Sequence, residues 1–192
     1  MTALSNDLIK EFVTASHFDL NKVKTLLAEH PNLLLVEYDW GPMGGLENGI
    51  GAAAHVGNRD IAEFFLAQGV PPNICVMAML GRTDTVREML AQNPALANAR
   101  GAHGITVMFH TAMSGVIEIA EMLKEAGCKE GYSYSLHGAI AFGHEKMGAW
   151  LLANGATNIN APDYENKTPL ERATEHNQTA IIKLLKQHGA GS

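Results

Sequence analysis

Apolar residues recur along this 192-residue chain in short stripes set between turn residues. A Gly is followed 12 residues later by another at Gly57 and Gly69, Gly115 and Gly127, and Gly143 and Gly155. Gly81 with Asn93 and Asn177 with Gly189 repeat the spacing, with Asn in one place. Both residue types accept left-handed backbone, so each is expected to hold a positive φ. Between the turns lie Ile61, Ala62, Phe65 and Leu66; Val86, Met89 and Leu90; Ile119, Ala120 and Leu123; Met147, Leu151 and Leu152; and Ile181, Ile182 and Leu185. These offsets predict an amphipathic helix of about three turns in each interval. Small pairs precede each turn, among them Ala53-Ala54, Thr111-Ala112 and Ala173-Thr174. They predict a second helix that neighbours can approach closely, so the unit is a helical hairpin made for stacking.

The last unit has the most explicit sequence: Asp163-Tyr164-Glu165-Asn166-Lys167-Thr168-Pro169-Leu170, then Ala173, Asn177, Leu184-Leu185 and Gly189-Ala190. Thr168 reads as a helix N-cap, with Pro169 at the first helical position. The fifth unit repeats the arrangement in Ser135-Leu136-His137, Ala139, Gly143-His144, Leu151-Leu152, Gly155-Ala156 and Asn160-Ala161. These two stretches resemble the ankyrin repeat. The resemblance implies an all-α fold: an ankyrin-repeat helical solenoid in a single domain over 1–192. Its six units cover roughly 5–38, 46–70, 72–98, 104–128, 134–160 and 166–190.

Taken from Phe18 in a degenerate first unit, the turn positions Gly57, Gly81, Gly115, Gly143 and Asn177 follow at spacings of 39, 24, 34, 28 and 34 residues. Against the family period of about 33, β-hairpin fingers are expected after units one, three and five. The other two connectors are too short for one. The apolar run from Asn32 to Glu37 reads as a strand arm of the first finger.

Charge and composition narrow the partners. The net charge is −6 with 14 scattered basic residues, which disfavours nucleic acid. No run of 18 apolar residues is present and Met1 to Lys10 has no signal-peptide pattern, so the expected setting is cytoplasmic, away from membranes. Cys75 and Cys128 stand 53 residues apart and read as reduced thiols.

Gly49-Ile50-Gly51-Ala52-Ala53-Ala54 matches a dinucleotide-binding pattern, but no strand runs into its first Gly, and the repeat explains it as a helix start. Six of nine histidines fall at places the repeat absorbs: His17 in the degenerate unit, His30, His137, His144, His176 and His188. Three do not: His55 before its turn Gly, His103 in the second finger and His110 in unit four.

Two functions follow. Ankyrin arrays usually bind proteins, so the resemblance implies an intracellular protein-protein interaction module that needs no cofactor, metal or catalytic residue. Its expected surface is Tyr38, Asp39, Trp40, His55, Met79, Arg100, His103, Met113, Asp163 and Tyr164, where finger tips meet the groove. Trp40 has a second reading, folded onto its own connector as an anchor. The alternative function is a groove site for a metal or small molecule around His103 and His110, supported by Asp39 and Glu47.

Overall fold

The computed structural model describes residues 4–42 and 44–191, so the first three residues of the Met1 to Lys10 stretch lie outside the described residues. The fold is mostly helical, with twelve α-helices in six consecutive pairs among the described residues. The pairs are α1 (Asn6–Phe18) and α2 (Leu20–Glu29), α3 (Gly49–His55) and α4 (Arg59–Ala67), and α5 (Ile74–Met79) and α6 (Thr83–Gln92). They continue as α7 (Val107–Ser114) and α8 (Ile117–Glu125), α9 (Tyr132–Ala141) and α10 (Glu145–Asn154), and α11 (Pro169–Glu175) and α12 (Thr179–Gln187).

The turns follow the chemistry of their residues. Gly57, Gly81, Gly115 and Gly143 all have φ between 70 and 75°, and Asn177 takes φ 53° in the same role. Asn93 departs from expectation at φ −147°. It precedes Pro94, whose ring disfavours helical and left-handed backbone at the residue before it. Asn93 instead caps a 3₁₀ turn, its side chain accepting from the N–H of Ala95. In the first pair, which lacks a turn Gly, Asp19 ends α1 and accepts from the N–H of Lys22 to start α2.

Where the repeat suggests one array without an internal boundary, the structure divides into two compact units. One comprises residues 1–76 with 100–105, and the other 77–99 with 106–192. The tip of the second finger belongs with the first unit because His103 bonds the carbonyl of Gly44 and Ala102 stands beside Gly51.

In the first unit α1 packs on α3, and a two-stranded antiparallel hairpin joins the pairs. Its strands are β1 (Glu37–Asp39) and β2 (Leu46–Asn48), with Tyr38 opposite Glu47. The strand arm is shorter than the Asn32 to Glu37 reading, because Pro31–Leu33 forms a 3₁₀ turn that buries Leu33 completely. Phe65 is fully buried against Phe12, ring centroids 5.9 Å apart. A Cβ on Gly49 would lie 2.4 Å from the Phe65 ring, so the glycine of the dinucleotide-like motif serves close packing.

In the second unit α7 packs on α9 and α9 on α11, while α10 lies against α8 and α12. Among the described residues the hairpins expected after units three and five do not form extended strands. After unit three the finger keeps only two rungs, the Gly101 N–H on the Ile105 carbonyl and the Val107 N–H on the Ala99 carbonyl, and its tip is the 3₁₀ turn Ala102–Gly104. The last connector closes instead on Asp163, whose side chain accepts from the N–H groups of Glu165 and Lys167 and from Arg172 Nε. Thr168 and Glu171 then form a reciprocal capping box at the start of α11.

Burial would raise the Asp163 carboxyl, but Arg172 and the two N–H groups outweigh it and hold its pKa below the ordinary aspartate value. A depressed pKa contributes stability that is fully present above the unfolded value, about 3.9, and is lost as pH falls through the folded one. The urea midpoint of wild type is therefore expected to exceed that of Asp163→Asn by a constant margin above about pH 5, narrowing below about pH 4. A margin independent of pH would show that the carboxylate charge is not what matters.

Candidate metal centre

Four side chains from separate parts of the first unit meet at one point. Glu47 on β2 is 2% exposed, with a side chain that is fully covered. Around it stand His17 from the end of α1, His55 from the end of α3 and His103 from the second finger. One ligand atom from each of the four lies within 4.8 Å of the others. His17 Nε2 is 3.6 Å from Glu47 Oε2; His55 Nδ1 and His103 Nε2 are 2.9 and 3.2 Å from Oε1. The rings meet edge to face, His17 with His55 at 4.9 Å and His55 with His103 at 4.8 Å between centroids.

Local structure orients every member. Asn58, the N-cap of α4, donates to the His17 carbonyl and ties the end of α1 to the turn after α3. His17 Nδ1 faces the carbonyls of Val13 and Thr14, and His103 Nδ1 faces that of Gly44 at 2.9 Å. His103 itself sits at φ 55°, a backbone conformation that costs a side-chain-bearing residue about 1–3 kcal/mol and that the turn must impose. Trp40 Nε1 donates to Glu47 Oε2 at 2.7 Å. Trp40 is thus folded onto its own finger.

Burial alone would raise the Glu47 carboxyl, but contact with His55 and the charges of His55, His17 and His103 hold it below the usual glutamate value. Burial pushes His17 the other way, lowering its pKa against the pull of Glu47. The carboxylate is therefore anionic and His17 is inclined to be neutral, the forms in which both are ligands.

Of the expected groove set, the structure brings together Glu47 and His103. Asp39 is exposed and accepts from the Gly41 N–H, shaping the finger tip. His110 is buried in the second unit, its Nδ1 on the carbonyl of Thr106 at 2.9 Å. His55, expected on a partner surface, enters the cluster, as does His17, which the repeat had seemed to absorb. The signal available for His17 was its place at the end of an inner helix, within one residue of where His55 stands in the next unit.

Other surface expectations need correction too. Met79 and Met113 are 1% and 5% exposed, because the place two residues before the turn Gly is covered by packing. Flexible thioether side chains fill such gaps well. Arg100 is exposed and donates to the Gly104 carbonyl, bracing the turn that holds His103. Tyr38 is half-buried edge-on to Trp40, whereas Tyr164 stands 83% exposed above the Arg172 guanidinium. His137 and His144 bond carbonyls, those of Ala161 and Met113.

A family model described as ankyrin repeats, in three copies, matches residues 74–191. The chain belongs to the ankyrin-repeat family. Ankyrin repeats are protein-interaction modules. Of the four clustered residues, His103 alone lies inside the matched stretch. The RelA-associated inhibitor of Mus musculus is 32% identical over 104 residues, 51% of this chain. The chain covers 12% of that relative's length. Among the described residues no helix is long and apolar enough to cross a membrane.

Proposed function

We propose that this ankyrin-repeat chain is a protein-binding module whose second unit docks a protein partner around Tyr164. The carrying observation is the exposure of that ring at a finger tip, in a family of interaction modules. Its surroundings are pre-organised: Arg172 lies under Tyr164 and is held by Asp163 and Glu165. Tyr134 and Phe109, half-buried on inner helices α9 and α7, lie 5.3 Å apart between centroids with their planes tilted by 30° and extend the aromatic surface. Rings fixed before binding lose little entropy on contact, which is why Tyr is enriched where interfaces derive their energy. Asp39 and Tyr38 on the first finger offer a second contact region. The murine relative, an inhibitor named for its association with RelA, supports the general reading of a protein-binding segment. The proposal places the chain in the cytoplasm, in keeping with free thiols at Cys75 and Cys128. Burial pushes the Cys75 thiol up to about 12, which leaves it unreactive.

The test is affinity capture from the source cell's own lysate with wild type and with Tyr164→Ala/Tyr134→Ala, quantified by mass spectrometry. A protein enriched by the wild type and reduced at least about tenfold by the double variant is the expected result, as loss of two ring contacts implies. Equal recovery by both proteins would remove this surface as the interface.

A further inference from the structure

We infer that His17, Glu47, His55 and His103 form a binding site for one divalent transition-metal ion, and that the ion pins the tip of the second finger onto the first hairpin. This inference stands apart from the protein-binding reading, since it rests on the first unit's own polar geometry.

The hydrogen positions carry the argument. A carbonyl oxygen can only accept, so His17 Nδ1 and His103 Nδ1 carry their hydrogens toward Val13, Thr14 and Gly44. In the neutral rings Nε2 is then a bare lone pair, and in both residues that lone pair faces a carboxylate oxygen of Glu47. Lone pair against lone pair is repulsive unless a positive centre lies between them. His55 repeats the problem: its Nδ1 is 2.9 Å from Glu47 Oε1, yet among the described residues neither buried atom has a hydrogen-bond partner.

Protons could supply the positive charge only by making neighbouring imidazoles cationic. Two pairs of rings stand within 5 Å between centroids, and the cluster offers one carboxylate to balance them. A divalent ion meets all four groups at once.

The ligand set also suits the ion. Three imidazoles and one carboxylate are donors preferred by zinc, iron, nickel or copper, whereas magnesium and calcium call for oxygen alone. Ligand atoms around one tetrahedral zinc at 2.0–2.1 Å stand about 3.3 Å apart. The two separations to Glu47 Oε1, 2.9 and 3.2 Å, lie near that value, and the four ligand atoms are all within 4.8 Å of one another. The outer partners are those of a metal site: His17 and His103 give their second nitrogen to backbone carbonyls, and Trp40 holds the Glu47 oxygen Oε2. The His103 side chain is 29% exposed, against 14 and 15% for His17 and His55, so the ion would enter beside the finger tip.

The test is calorimetric titration of the chelator-treated 192-residue chain with zinc ion alone, paired with thermal unfolding with and without zinc. Wild type is expected to bind one zinc per chain and to unfold at higher temperature when loaded. Glu47→Gln and His103→Ala are each expected to weaken binding by at least about 100-fold and to remove the thermal shift. Trp40→Phe is expected to weaken it by about tenfold, through the lost hydrogen bond to Glu47. His176→Ala, on the exposed end of α11, is expected to match wild type. His103 sits on an exposed turn, so circular dichroism of His103→Ala should match wild type and make its loss of binding a loss of ligand. Saturable binding with equal affinity in wild type, Glu47→Gln and His103→Ala would overturn the site, as would folded wild type that takes up no zinc.

Discussion

Gly115→Val is expected to destabilise the second unit by about 2–6 kcal/mol, more than the same change at Gly143. Both glycines hold φ 70°, where a β-branched side chain costs about 1–3 kcal/mol. What separates them is space. A Cβ at Gly115 would lie 2.6 Å from the His144 ring, and that ring is held in place by its bond to the Met113 carbonyl. Moving it breaks the bond and overpacks the junction, adding about 1–3 kcal/mol. At Gly143 the nearest atom is Gln178 Nε2 at 3.9 Å, so only the backbone term remains, about 1–3 kcal/mol. Urea unfolding followed by the fluorescence of Trp150 in a Trp40→Phe background reads the difference. Equal midpoints for the two variants would mean that His144 does not define the turn.

Phe65→Ala is expected to cost the first unit about 3–5 kcal/mol, the range for removing a fully buried aromatic ring. The ring fills the space between Phe12 and Gly49, and no Cβ on Gly49 occupies the cavity it leaves. Phe65 also sets the spacing of α1 and α3, whose ends present His17 and His55. Phe64, half-buried one residue earlier on α4, provides the comparison, with about 1 kcal/mol expected for its truncation. Unfolding followed at Trp40 in a Trp150→Phe background is the measurement. Similar losses for the two changes would contradict the assignment of Phe65 as the keystone of that core.

The residues that were legible in the sequence act locally. Gly57, Gly81, Gly115, Gly143 and Asn177 impose their turns through their own backbone freedom, and Thr168 with Pro169 starts a helix from adjacent atoms. Asn93 was misread because its conformation is set by Pro94, also a local cause but a competing one. The connectors were harder to read. Whether a finger becomes a ladder depends on which strand finds it, and among the described residues Glu37–Asp39 with Leu46–Asn48 forms the two-stranded sheet. Met79 and Met113 looked available for a partner because the repeat names a position without stating what covers it.

The cluster around Glu47 was partly legible for the same reason. Glu47, His55 and His103 stood out as residues that the repeat did not absorb. His17 did not, being unremarkable within its own helix, and nothing in the sequence placed it with the other three. The four come together only when α1 and α3 lie side by side and the turn at Ala102–Gly104 returns to the Gly44 carbonyl, 59 residues away in sequence from His103.

The most direct measurement is a crystal structure of zinc-soaked protein with anomalous scattering recorded at the zinc edge. A single anomalous peak about 2.0–2.2 Å from His17 Nε2, Glu47 Oε1, His55 Nδ1 and His103 Nε2 is the predicted result. Zinc found only elsewhere on the chain, with Glu47 still enclosed by three histidines and no peak among them, would contradict it.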